Sequence, residues 1–101
     1  MREIVVFTID IANEVMTTLD DGTLRRSILR TITLLKQDPF YGNQVRKHQI
    51  PKILQHLPNL RRAELAGYWR MLYYLASDEQ YTYVIIFEIC DHHRYDKIFG
   101  Y

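Results

Sequence analysis

The stretch GYWRMLYYLASDEQYTYVIIFEICD, residues 67 to 91, restricts the possible folds more than any other part of the chain. Two runs rich in β-branched and aromatic residues flank Ser77, Asp78 and Glu79, a pattern that predicts a long β-hairpin. Side chains alternate along a strand, so Trp69, Met71 and Tyr73 are expected on one face and Tyr68, Arg70, Leu72 and Tyr74 on the other. Arg70 then sits in mid-strand among apolar neighbours. Its guanidinium must either pair with a carboxylate, for which Glu64, Glu88 and Asp91 are the candidates, or project from an open face toward an anion. The planar, bidentate geometry of arginine suits phosphate in particular.

Elements upstream supply the other layer. EIVVFT, residues 3 to 8, is apolar on both faces and predicts a buried strand. From Asp10, a candidate cap, the period changes: Ile11, Val15 and Leu19 recur every four residues and predict a helix that stops at Asp21 and Gly22. A second helix buries Leu24, Ile28, Ile32 and Leu35 while Arg25, Arg26 and Arg30 lie off that stripe. QDPFYGN ends it, Pro39 and Gly42 being the punctuation. KILQHL, bracketed by Pro51 and Pro58, reads either as a short helix or as an irregular connection, and LRRAEL as a short strand. The expected fold is therefore α+β: an N-terminal strand, a two-helix hairpin, then antiparallel strands, with the helices on one face of a curved sheet and the other face free to bind. A short C-terminal tail follows.

At 101 residues the chain is one domain spanning 1–101, with enough buried surface to need no disulfide or metal staple. One cysteine, Cys90, excludes an internal disulfide, and IVVF is too short for a secretory hydrophobic region, so a cytoplasmic protein is expected. No apolar run approaches a membrane span. Net charge is only +1, but its distribution is uneven. Residues 1–41 carry five Lys/Arg against six Asp/Glu, residues 42–70 six against one, and residues 71–101 two against five. The middle segment, with Arg46, Lys47, Lys52, Arg61, Arg62 and Arg70, is a basic island suited to a polyanion or an acidic peptide.

Where the last strand ends, near Asp91, His92, His93, Arg94 and Tyr95 emerge together. Histidine moves protons near neutral pH, arginine holds phosphate, and tyrosine stacks on a base or donates a proton. A metal-independent ribonuclease needs those groups to activate a 2′-hydroxyl, to stabilise charge on phosphorus and to protonate the leaving oxygen. The same residue types also make an ordinary solvated surface. Cys90, His92 and His93 lack a second Cys/His pair at ligand spacing, so neither metal nor cofactor is expected, and Cys90 reads as a packed strand residue. No Gly-rich phosphate loop, nucleophile elbow or HExxH occurs.

The strand YWRMLYYL, the second apolar strand and the closing DHHRYDKIFGY resemble the RelE/ParE superfamily of toxins from toxin-antitoxin pairs, and, with IPK and NLRRAEL, its archaeal RelE-like branch. The likeness spans most of the chain and is specific from Asn59 onward. It implies a RelE-type fold and, in the nuclease branch, a ribosome-dependent mRNA endonuclease (mRNA interferase) that inhibits translation. The implied catalytic residues are Arg70 on the phosphate and His92 as acid or base, with Arg94 assisting and Tyr95 positioning or stacking a base. Lys47, Lys52, Arg61 and Arg62 would face RNA. Implied partners are a cognate antitoxin, through which any homo-oligomer would form, and mRNA on the ribosome. Such nucleases are strongly basic and this chain is near neutral, which keeps open a ParE-like gyrase poison or an inactive RelE-fold protein that mainly binds an antitoxin.

Overall fold

The computed structural model describes residues 2–20 and 22–101. Its α+β order is β1 (Glu3–Thr8), α1 (Asp10–Thr18), α2 (Thr23–Gln37), β2 (Asn43–Gln44), β3 (Arg61–Glu64), β4 (Arg70–Ser77), β5 (Tyr81–Cys90) and α3 (His92–Phe99). Spatially the open five-stranded sheet runs β1-β5-β4-β3-β2.

The hairpin forms as its sequence requires. Asp78 makes the turn: its carboxylate accepts from the Gln80 and Tyr81 amides and from the Tyr83 hydroxyl, and the Tyr83 bond leads in holding its pKa below the ordinary carboxylate range. β4 and β5 pair antiparallel from Arg70↔Cys90 to Ser77↔Thr82. One irregularity interrupts the ladder, where Leu72 pairs with Glu88 and Tyr73 with Ile86. Phe87 is the extra residue there, and the shift lets Ile86 and Ile89 both reach the helix-side core.

β1 joins β5 in parallel, so the sheet is mixed. Parallel neighbours need a long crossover, which the helical hairpin and the following strands provide. α1 and α2 cover one sheet face, and Ala12, Ile28 and Leu35 are fully buried against Met71, Tyr73, Val84 and Ile86. Arg25 ties the hairpin together by donating to the Met16 and Leu19 carbonyls at the end of α1. Asp10 does not cap α1. Ile9 still bonds as a strand residue, its N–H donating to Ile86 O, so the chain turns at Asp10 itself, with φ 53°, and no side chain caps the helix. α1 ends at Thr18, where Leu19 N–H closes on Val15 O. Of the stop expected for α1, Asp21 lies outside the described residues and Gly22 immediately precedes α2.

The opposite sheet face is less open than the sequence suggests. The C-terminal segment is an eight-residue helix, α3, capped by Asp91, whose carboxylate accepts from Arg94 N–H at 2.9 Å, and closed by Gly100 in the left-handed conformation at φ 75°. Tyr95 and Phe99 from α3 join Leu72 and Cys90 from the sheet and Val45 and Leu60 from the connection in a second apolar cluster. KILQHL is irregular, flanked and entered by 3-10 turns at Lys47–Gln49 and Lys52–Leu54. Among the described residues no helix is long and apolar enough to cross a membrane.

Candidate functional site

β3 and β4 pair antiparallel with Glu64 opposite Arg70 and Arg62 opposite Leu72, which places Arg62, Glu64 and Arg70 on the face away from α1 and α2. The first turns of α3 then lay Tyr95 beneath both arginines. Its ring centroid is 5.3 Å from the Arg70 guanidinium carbon and 5.6 Å from that of Arg62, within cation–π range. Arg62 also donates Nη1–H to the Tyr95 hydroxyl at 2.7 Å. Tyr95 is 3 % exposed, and burial, outweighing the pull of Arg62, raises its pKa. It is therefore a neutral phenol that holds guanidinium groups in place, and its ring is too buried for a base to stack on it.

Two like charges on one ring repel unless something offsets them. Glu64 lies between them, 3.8 Å from Arg62 Nε and 3.6 Å from Arg70 Nη1: ionic distances, too long for hydrogen bonds. Its side chain is 57 % exposed, so water screens the attraction. Arg70 Nη1 donates to Tyr68 O at 2.9 Å, and the Nε groups of both arginines are sheltered without a hydrogen-bond partner. The three side chains together carry a net positive charge with donors left over, a field that favours an added anion.

The three carboxylates considered for Arg70 have distinct roles. Glu64 is its neighbour, Asp91 caps α3, and Glu88 belongs to Arg94. Arg94 grips Glu88 with two prongs, Nε to Oε2 at 2.9 Å and Nη2 to Oε1 at 3.2 Å, and the hydrogen bonds to Glu88 push the Arg94 pKa further up. Glu88 is 5 % exposed, so this pair clamps the first turn of α3 onto β5. His92 is half-buried. Its ring meets Tyr68 edge-on, with centroids 6.1 Å apart, and lies 4.0 Å from the exposed His93. Tyr68 thus links both parts of the rim, accepting from Arg70 through its carbonyl and touching His92 through its ring. Sequence reasoning did not single out Tyr68. A tight turn at Gly67 and Tyr68, both at positive φ, is what turns it outward, and only the Gly67 half of that signal is readable in advance.

The four basic residues named for RNA divide. Arg62 belongs to the cluster. Arg61, its neighbour, points to the other face, where Nη1 donates to Gly42 O at 2.7 Å and Phe40 O at 3.3 Å and the guanidinium covers the Phe40 ring at 4.8 Å. Lys47 and Lys52 are exposed on the two turns. Lys47 lines a groove of about 520 Å³ beside the end strand β2, with Val45, Ile50, Leu57 and Leu60 as its apolar walls. That groove is lined by other residues than the Arg62–Arg70 cluster, whose two arginine side chains are half-buried, 32 % and 19 % exposed. Cys90 is buried, and desolvation pushes its thiol from the usual 9.0 up to about 12, so it is inert at neutral pH. Among the described residues no cluster of three His, Cys, Asp or Glu side chains is placed to hold a metal ion.

These features define a small α+β protein with a basic rim at one end of an open mixed sheet. Compared with family models, with curated proteins and with solved structures, the chain finds no match.

Proposed function

We infer that the chain is a RelE-like toxin, the translation-inhibiting member of a toxin-antitoxin pair, acting in the cytoplasm as a metal-independent endoribonuclease on ribosome-bound mRNA. The observation that carries this reading is the under-neutralised pair Arg62 and Arg70, held over Tyr95 and joined through Tyr68 to His92. In this reading Arg70, aided by Arg62, grips the scissile phosphate and stabilises the negative charge that builds on its oxygens. The 2′-hydroxyl loses its proton to a base, attacks phosphorus and forms a 2′,3′-cyclic phosphate, while the departing 5′-oxygen takes up a proton. His92 supplies one of those proton transfers, and His93, in ring contact with it, is the nearest candidate for the other. Arg94 assists by fixing α3 through Glu88, and Tyr95 positions the arginines. Lys47 and Lys52 extend the positive surface along which RNA would run.

The experiment is a translating extract in which mRNA cuts are mapped. Wild-type protein cuts, Arg70→Ala loses about 100-fold, and His92→Ala loses a comparable amount. Intact mRNA with wild-type protein, or undiminished cutting by Arg70→Ala, removes the nuclease reading.

A second reading rests on the groove at β2. Its apolar walls and Lys47, with Arg46 and Lys52 nearby in sequence, suit an acidic, amphipathic antitoxin segment. A RelE-fold protein whose main act is antitoxin binding, or a ParE-like gyrase poison, would keep this groove and need no proton transfer at His92. A supercoiling assay with purified gyrase identifies the poison.

A further inference from the structure

β1 ends the sheet, and its free edge is unguarded. Glu3 N–H donates to Gln80 O and Ile9 N–H to Ile86 O, in an unbroken parallel register from Glu3↔Tyr81 to Thr8↔Ile86. The pleat therefore turns the backbone N–H and C=O groups of Ile4, Val6 and Thr8 away from β5, and among the described residues none bonds to them. Free edges are usually blunted by proline, lysine, a bulge or short length. β1 is six residues long, has none of these devices, and carries charge only at Glu3. Its side chains divide: Ile4 and Val6 pack into the helix-side core, while Val5 and Phe7 face the other way beside half-buried Tyr83 and Ile85. Phe7 is 40 % exposed.

The occupant that fits this edge is the same edge turned around. With a two-fold axis at Val6, Val6 faces Val6 of the second copy and Ile4 faces Thr8, matching the outward-bonding residues with each other. Val5 then meets Phe7 on the exposed face, so the large apolar side chain left open in one copy is covered by the other. Within β1 this is also the register in which Ile4, Val6 and Thr8 all meet an outward-bonding partner. Sliding the register by two residues leaves Thr8, or in the other direction Ile4, opposite a residue outside β1. A slide by one would pair outward-bonding residues with inward-bonding ones.

We propose that two copies of this chain associate antiparallel through β1, forming one continuous sheet with its two-fold axis at Val6. Pairing of this kind keeps each sheet face on its own side. Both helix layers then lie on one side and both Arg62–Arg70 clusters on the other, with the two β4 strands five strand spacings, about 24 Å, apart across the sheet.

Sedimentation across a wide concentration range, combined with amide hydrogen exchange on the full chain, tests this. The expected result is a monomer–dimer equilibrium in which the amides of Ile4, Val6 and Thr8 become protected as the dimer forms. Phe7→Lys, at an exposed position, weakens association at least about tenfold because the change occurs twice per dimer. The far-ultraviolet spectrum reports whether the variant is folded; should Phe7→Lys unfold, the three amides of the wild-type chain decide. A monomer at every concentration overturns the proposal, as does a dimer whose Ile4, Val6 and Thr8 amides exchange as fast as in dilute solution. Undiminished association by a folded Phe7→Lys does the same.

Discussion

Arg61 and Arg62 are adjacent in sequence and perform different tasks. Arg61 lies on the helix side, where two backbone carbonyls and the Phe40 ring engage it and fix the loop 38–42. In that loop Gly42 N–H donates to the Tyr73 hydroxyl at 2.8 Å, and that hydroxyl donates on to Pro39 O. Arg62 lies on the other side, held by one phenol and faced by an exposed carboxylate at ionic distance. Placed by the two-residue pleat on opposite faces, the same side chain becomes a brace on two backbone carbonyls in one case and part of a positive cluster in the other, with Nε sheltered and without a partner in both. A basic island in sequence is therefore not a basic patch in space. Arg61 is withdrawn from the face that carries Arg62 and Arg70.

If the Arg61 side is a brace, the largest effects on stability come from disturbing it. A Cβ at Gly42 would lie 2.6 Å from the Tyr73 hydroxyl oxygen and 2.7 Å from the Arg62 carbonyl, so Gly42→Ala is expected to cost about 3 kcal/mol, read as a lower urea midpoint. Next comes the clamp on α3. Arg94→Ala leaves Glu88 buried without its partner and should cost about 2 kcal/mol, whereas Glu88→Gln with Arg94→Gln, which removes both charges, costs less than the single change. The contrast between the neighbours is sharpest in the third pair. Arg61→Met is expected to cost about 1.5 kcal/mol of stability and, on the proposed nuclease reading, to leave mRNA cutting by the folded protein within about twofold. Arg62→Met, which leaves the buried Tyr95 hydroxyl without its partner, costs a similar amount and on the same reading lowers cutting at least about tenfold. Reversal of that pattern would mean that the two faces had been assigned the wrong tasks.

The smallest effect at neutral pH belongs to the buried titrating groups. Burial raises the folded-state pKa of Cys90 from 9.0 to about 12 and raises those of Tyr73 and Tyr95 above 10.0. Above its ordinary pKa each group loses its proton in the unfolded chain while the folded chain retains it. Stability is therefore unaffected below pH 9 and falls as pH rises from there through the folded values. Cys90→Ala should show a shallower alkaline loss between pH 9 and about 12 when denaturation midpoints are compared across pH.

β1, β3, the β4–β5 hairpin and the helical hairpin were legible because their signals are local, whereas the two-residue β2 was not expected. Period-two alternation in YWRMLYYL and the four-residue recurrence of Ile11, Val15 and Leu19 each specify a face without reference to the rest of the chain. The faces of Trp69, Met71, Arg70 and Leu72 came out as the alternation predicts, but Arg70 opens β4 right after the turn at Gly67 and Tyr68 and does not sit in mid-strand. α3 was read as part of the tail although its signals are local: Asp91 as cap, Tyr95 and Phe99 four residues apart, and Gly100 after the last turn. What the sequence hides is the surface of Leu72 and Cys90 that Tyr95 and Phe99 cover. The parallel placement of β1 was equally hidden, since nothing in EIVVFT says which strand it will join.

Local spacing, then, is enough to assign the long hairpin and the two N-terminal helices their elements and their side chains a face, because backbone geometry repeats every 2 or 3.6 residues whatever the surroundings. Partnership is different. That Glu64 rather than Glu88 lies beside Arg70, that Tyr95 lies under two guanidinium groups, and that Arg61 is bound up in a loop depend on which distant strands and helices come into contact. Those contacts are set by how the whole chain buries its apolar surface.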